Sequence, residues 1–386
     1  MRLIFILNAD FPIHDGGLFY AMIQDLQANN FRLPPYVAYN GTHIPFAYPP
    51  LALYMAGILQ KLTQWDLLSI FTFLPLFINV LCIPAFYLLA RTLFPHGAIG
   101  GWAVLFFSLL PRSFQWLIMG GGLTRTTGFL FALLALRYIY MLLSSQNNRF
   151  LLPAIVLSGA TVLTHMEMAL FTACAGAILA INYVRGLRNL GNAFLLALGT
   201  ASVASPWWAT VISHHGWSPF LSASSTGGSP STGFANLMLT GPSPEEFISF
   251  SALLALIGTI ESISLKQYLP PVLLLVTFII NSRGAFTPST APLALLMAIG
   301  MERLLALLVG DLRRCLATSI IQRNGSPSND LRSTESVSLS VSALLIAYLI
   351  FNAIAGNTRL LEPLPGDERA DMKWIAENIP SRAIFA

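Results

Sequence analysis

Charge is what this sequence lacks. Only 10% of its 386 residues are Asp, Glu, Lys or Arg, against about 25% in a typical soluble domain. With 55% hydrophobic residues and a mean hydropathy of +0.67, the chain has too little polar side chain to face water all round. A soluble globular domain is excluded. Cysteine is scarce as well: Cys82, Cys174 and Cys315 share no metal-ligand or redox spacing, which removes a Cys-based metal or redox motif. No alternating pattern of about ten residues suggests a transmembrane barrel. Nor is there an ordinary signal peptide. "MRLIFIL" runs into Asn8 and Asp10 too soon for a full apolar leader or a span. The chain reads as beginning inside a first transmembrane helix and as cut again after "IPSRAIFA".

What is present is a series of uncharged apolar runs, at 67–90, 168–184, 189–213, 284–301 and 336–358. Each is near the ~17–25 residues that cross a bilayer as a helix. The fold class is therefore all-α and polytopic, an integral membrane protein. The net charge of +4 does not point to nucleic acid, because the basic residues sit at segment ends and form no patch.

Their distribution sets the expected topology. With 9–48 outside and 67–90 crossing inward, Arg91, Arg149, Arg185, Arg188, Lys266, Arg303, Arg313, Arg314, Arg323 and Arg332 all fall on the cytoplasmic side. Arg137 is placed to snorkel there. The exterior keeps Arg32, Lys61, Arg112, Arg125 and Arg283. Counting 49–63 as a span would invert this bias, so it reads as a short helix entering the outer leaflet. Later spans are expected near 97–111, 126–143, 150–164, 168–184, 191–212, 247–264, 268–282, 287–308 and 337–355, about ten crossings in all. Residues 310–335 read as a polar cytoplasmic linker. Residues 1–355 then form the membrane domain, and 356–386 the start of an extracytoplasmic domain with an amphipathic helix in "ERADMKWIAENIP".

Ionisable groups near a bilayer are costly and so are candidates for function. In "HDGGLFYAMIQDL" the two glycines let backbone approach a ligand closely beside His14 and Asp15. Leu18, Met22, Ile23 and Leu26 share one helical face, which predicts a helix lying along the interface. Asp15 is either a plain N-cap or a general base for an acceptor hydroxyl. "LTHMEMALF" places His165 and Glu167 at the outer turn of a tight hairpin, where a polar turn is an equally simple account. Arg283, in "IINSRGAFTPSTAPLALL", is suited to bidentate phosphate recognition, with Pro288 and Pro292 breaking the following segment to leave room for a headgroup. Arg125, in "GGGLTRTTG", is a second such arginine. Asp66, Glu245 and Glu246 read as interfacial or helix-start acids. The tryptophans of "SPWWATVISHHGWSPF" read as an interfacial belt.

In this order the features resemble the GT-C superfamily of membrane glycosyltransferases, which includes protein O-mannosyltransferases, aminoarabinose transferases and oligosaccharyltransferase catalytic subunits. The resemblance lies in "HDGGLFYAMIQDL", "YPPLALYMAG", "FYLLARTLF", "LTHMEMAL", "SPWWATVISHHG", "RGAFTPSTAPLALLMAIG" and "MKWIAENIP". It implies transfer of a sugar from a polyprenyl-phosphate donor at the outer face of the plasma membrane, with Asp15 matching the first-loop catalytic acid. His14, Tyr20, Arg125, His165, Glu167 and Arg283 would line the substrate site. The acceptor, whether protein, lipid or glycan, is not specified. A divalent cation is left open, because a "DxD" pair and the "WWD" signature are both missing. Two other readings remain at this point. A transporter or flippase would need polar groups at mid-depth in the spans, and the sequence shows no internal repeat of the kind common in secondary transporters. A truncated, inactive relative is the other.

Overall fold

The computed structural model describes residues 2–8, 16–39, 42–225, 228–229, 231, 250–323, 328–355 and 366–378. These form helices almost throughout, with one two-stranded antiparallel hairpin.

The order begins with α1 (Arg2–Asn8) and α2 (Gly17–Ala28), then β1 (Tyr36–Tyr39) and β2 (Thr42–Pro45), then α3 (Leu51–Thr63). Met22, Ile23 and Leu26 of α2 are buried, as the spacing predicts. Their burial differs from the expectation in kind, since they pack on protein and not along an interface. Leu53 and Ala56 of α3 and Ile70 and Phe71 of the next helix complete that cluster. Asp25 accepts a 2.9 Å hydrogen bond from the Ala38 amide and so ties the hairpin to α2. The hairpin itself, with Val37 facing Ile44, is not legible in the sequence: each strand has only four residues. At 13 residues α3 is too short to cross a bilayer.

Next come α4 (Leu67–Leu93), α5 (Ile99–Leu109), two 3₁₀ turns at Pro111–Ser113 and Gly120–Gly122, and α6 (Leu123–Ser145). Asp66 caps α4, accepting from the amides of Leu68 at 3.2 Å and Ser69 at 2.9 Å. The hydrogen bonds hold its carboxyl below the usual carboxylate range. After α7 (Leu151–Val162), α8 (Met166–Tyr183) and α9 (Gly186–His215) follow α10 (Ser218–Ser224), α11 (Phe250–Ser264), α12 (Leu269–Ile280), α13 (Thr290–Arg323), α14 (Ser328–Ala355) and α15 (Gly366–Asn378). The central helices are α6 and α13, which contribute more residues to the largest buried cluster than any other helices. Helices α11 and α13 cross at glycine: a Cβ on Gly258 would lie 1.8 Å from the Leu296 carbonyl oxygen, so backbone meets backbone.

Among the described residues, five helical stretches are long and apolar enough to span a membrane: Leu67–Leu93, Gly120–Ser145, Met166–Tyr183, Gly186–His215 and Thr290–Leu307. Shorter apolar helices accompany them. Helices stand at the positions of the expected spans, but among the described residues five of those stretches are long and apolar enough to cross. The polar linker expected at 310–335 is not a loop where the structure describes it. Helix α13 runs on to Arg323, and α14 already starts at Ser328. Leu, Arg, Ala and Gln after residue 310 are good helix formers, so loss of hydrophobicity there does not end the helix.

A buried arginine supports the short α1. Arg2 is 6% exposed and donates to the backbone oxygen and Oδ1 of Asn79 at 2.9 and 2.8 Å. It also reaches Ser113 Oγ at 3.2 Å and lies over the Phe114 ring. These bonds join α1 to α4 and to the first 3₁₀ turn.

Candidate functional site

The site assembles around the turn between α7 and α8. Its backbone is pinned from the first loop, where the Leu51 amide donates to the Leu163 carbonyl at 2.8 Å. The "YPPL" stretch thus docks on the "LTH" turn. Tyr48 shares a 3.0 Å hydrogen bond with Thr124 Oγ1. Its ring lies edge-on to His165 at 6.3 Å and beside Phe19 at 4.9 Å. Tyr48 was quoted above only as part of a landmark. Its role in joining the first loop to the His165 turn emerges from the packing.

His165 precedes α8 in extended conformation and is 6% exposed. Burial, and then the charge of Arg125, push its imidazole down to about 3, so the ring is neutral at physiological pH. Glu167, in the first turn of α8, turns to Arg125 instead, with Oε2 3.3 Å from Nη2. The two side chains of "THME" therefore diverge, one into the core and one to an arginine.

The segment joining α12 to α13 closes over Glu167. Gly284 lies so near that a Cβ there would be 2.4 Å from the Glu167 carboxylate. Its amide donates to Asn281 Oδ1 at 3.0 Å, which fixes the bend. Arg283, beside it, is exposed. Among the described residues its guanidinium makes no hydrogen bond or ion pair. Two residues past Gly284, Phe286 carries the guanidinium of Arg112 on its ring at 4.9 Å. Arg112 Nε is buried without a partner among the described residues, and burial lowers the pKa of the group. Sequence reasoning counted Arg112 among the expected outer charges but gave it no role. The one available signal was a basic residue between Pro and Ser at the end of an apolar run.

The predicted residues are thus sorted by the fold. Arg125, His165 and Glu167 come together, with the Arg283 segment against Glu167. Tyr20 stands on α2 with its ring 6.3 Å from Phe71, half-buried against α4. His14, Asp15, Glu245 and Glu246 lie outside the described residues. The room expected after Arg283 is not there: Pro288, Ser289 and Thr290 are buried, and α13 starts at once. The cleft lined by Glu167, Phe171, Asn281, Gly284 and Pro288 holds about 20 Å³. Proline at the first turn of a helix is compatible with it, so Pro292 does not open the segment. Of the tryptophans, Trp207 is buried, while Trp208 donates to the Ala201 carbonyl at 3.0 Å.

Among the described residues, no three His, Cys, Asp or Glu side chains converge as a metal site. Glu167 is already engaged by a cation.

What the described site offers is an excess of positive charge. Arg112 meets the 281–289 segment at Phe286, Arg283 belongs to that segment, and Arg125 approaches it through Glu167, which packs on Gly284. Such a group suits an anion with several oxygens, and phosphate fits guanidinium geometry. This all-α bundle of apolar helices, with a first-loop helix pair docked on the α7–α8 turn, has a fold shared with solved structures. Solved structures carry the comparison. Archaeal oligosaccharyltransferase AglB from Archaeoglobus fulgidus matches with a TM-score of 0.54 at 16% identity, covering 96% of this chain and 56% of that one. ArnT from Cupriavidus metallidurans, bound to undecaprenyl phosphate, matches with a TM-score of 0.55 at 14% identity, covering 93% of this chain and 73% of that one. This chain therefore spans little more than half of the oligosaccharyltransferase. No protein-family model matches the sequence, and no curated protein is similar to it in sequence.

Proposed function

We propose that this protein is a membrane glycosyltransferase that moves a sugar from a polyprenyl-phosphate donor to an acceptor hydroxyl or amide at the outer face of the membrane, from about ten crossings in all. The observation that carries the reading is the Arg125–Glu167 pair packed against Gly284, with Arg283 next to it in the chain and Arg112 on the ring of Phe286. In such a transfer the acceptor attacks the anomeric carbon, the bond from that carbon to the phosphate oxygen breaks, and negative charge grows on the leaving phosphate. Arg112 and Arg283 stabilise that charge and hold the donor, since neither guanidinium has an anionic partner among the described residues. Arg125 is held in place by Glu167. Neutral His165 and Tyr48 set the wall against which the first loop rests, and Asp15 takes the acceptor proton. Support also comes from the solved neighbours, one bound to undecaprenyl phosphate and one to a dolichol-phosphate with an inhibitory peptide.

The test is a donor titration. Arg283→Lys and Arg112→Lys keep charge but lose the planar fork, so each should raise the donor concentration needed more than it lowers the maximal rate. If Arg112→Ala and Arg283→Ala, singly and together, left the donor dependence unchanged, the arginines would serve lipid headgroups and the reading would fail.

A further inference from the structure

An apolar cavity among the described residues lies away from this site. It occupies about 570 Å³ between α8 and α9, floored by α6 and α7. Only Val184 and Arg185 connect α8 to α9, yet the two helices make almost no direct contact. The reason is that each is committed elsewhere. Helix α9 is locked to α7, where a Cβ on Gly159 would lie 2.4 Å from Val203 and one on Gly199 would lie 2.6 Å from Ile155. Helix α8 packs on α6. The trough left between them is lined by small residues at helical spacing, Ala169, Ala173 and Ala180 on one wall and Ala193, Ala197 and Ala204 on the other.

Its dimensions select an occupant. From Ala169 to Ala180 the wall runs about 16 Å at the α-helical rise. A groove of that length and volume, walled by alanines, takes a single hydrocarbon chain.

One polar atom decides which chain. Ser158 lines the trough, is 6% exposed, and its hydroxyl has no hydrogen-bond partner among the described residues. It stands one turn, about 6 Å, inside the end of α7 at Val162. An isoprenoid chain has no acceptor to offer there, whereas a fatty acyl ester has. We propose that this trough is a site for one acyl chain of an ester-linked membrane glycerolipid, with its carbonyl accepting from Ser158. The site is separate from the arginine cluster: α8 presents Glu167 and Phe171 to α12 and the trough residues to α9.

Native mass spectrometry of the full chain in detergent tests this, using dioleoyl phosphatidylglycerol and its ether-linked analogue, which differ at the carbonyl. One ester lipid should bind per chain, with the ether lipid about three- to tenfold weaker. Ser158→Ala should erase that difference, and Ala173→Leu, which fills the trough, should remove both lipids. Equal binding of ester and ether lipids to the unaltered protein would overturn the proposal. So would binding indifferent to Ala173→Leu. If Ala173→Leu instead abolished undecaprenyl phosphate binding and spared the glycerolipid, the trough would belong to the donor's tail. Loss of sugar transfer alone bears on the proposed function and not on this site.

Discussion

Replacing Glu167 with glutamine should make the site bind phosphate more tightly, the opposite of what loss of a substrate ligand does. The carboxylate neutralises Arg125 across 3.3 Å. Unit charges at that separation attract by about 5 kcal/mol at an effective dielectric of about 20. Arg125 and Glu167 are 37% and 25% exposed, and solvent screening reduces the net worth of such a pair to about 1 kcal/mol. Released to an incoming phosphate, that energy corresponds to about fivefold in a dissociation constant. Glutamine keeps the size and the contact with Gly284, so the 281–284 bend should survive. The assay is equilibrium binding of undecaprenyl phosphate to the protein in nanodiscs, for the unaltered chain, Glu167→Gln and Arg125→Gln. Tightening in the first variant and weakening in the second are expected, with the gain lessened at high salt. Weaker binding by Glu167→Gln would refute the reasoning and make the carboxylate a direct ligand of the donor.

Three further outcomes can be checked independently. Asp15→Asn, which removes the base with little change in size, should lower transfer by at least ~100-fold, and near-normal turnover by folded protein would remove Asp15 from the reaction. His165 takes up a proton at about 3 in the folded protein but near 6.5 once unfolded. The unfolded chain therefore binds more protons between those values, and stability present above pH 6.5 should decline as pH falls toward 3. Thermal midpoints in detergent should fall across that window, and the decline should be shallower in His165→Phe; equal slopes would assign the effect to other groups. Cysteines placed at Ser225 and Ser326 test the charge-based orientation: an impermeant thiol reagent applied from outside should reach the first and miss the second, and the reverse would put the site on the cytoplasmic face.

Some of this protein was settled by the sequence alone. Scarcity of charge and recurring uncharged runs require a helical membrane protein, because backbone polar groups in lipid must be satisfied within each segment. The apolar face of Met22, Ile23 and Leu26 follows from helical spacing, and it is buried as that spacing requires. What the spacing left open was the partner, which the fold supplies as α3 and α4. Site residues show the same division. Arginine, histidine and glutamate near segment ends are conspicuous in a chain this apolar, so Arg125, His165, Glu167 and Arg283 stood out. Which of them meet was decided by tertiary structure. The turn before α8 sends His165 inward and Glu167 to Arg125, and Phe286 gathers Arg112 from far earlier in the chain. The trough beside Ser158 had no signal in the sequence at all. Alanines on α8 and α9 look like ordinary packing residues until α9 is locked to α7 and the two walls are held apart. Local pattern fixes which face of a helix is apolar; only the packing of all the helices decides whether that face is filled.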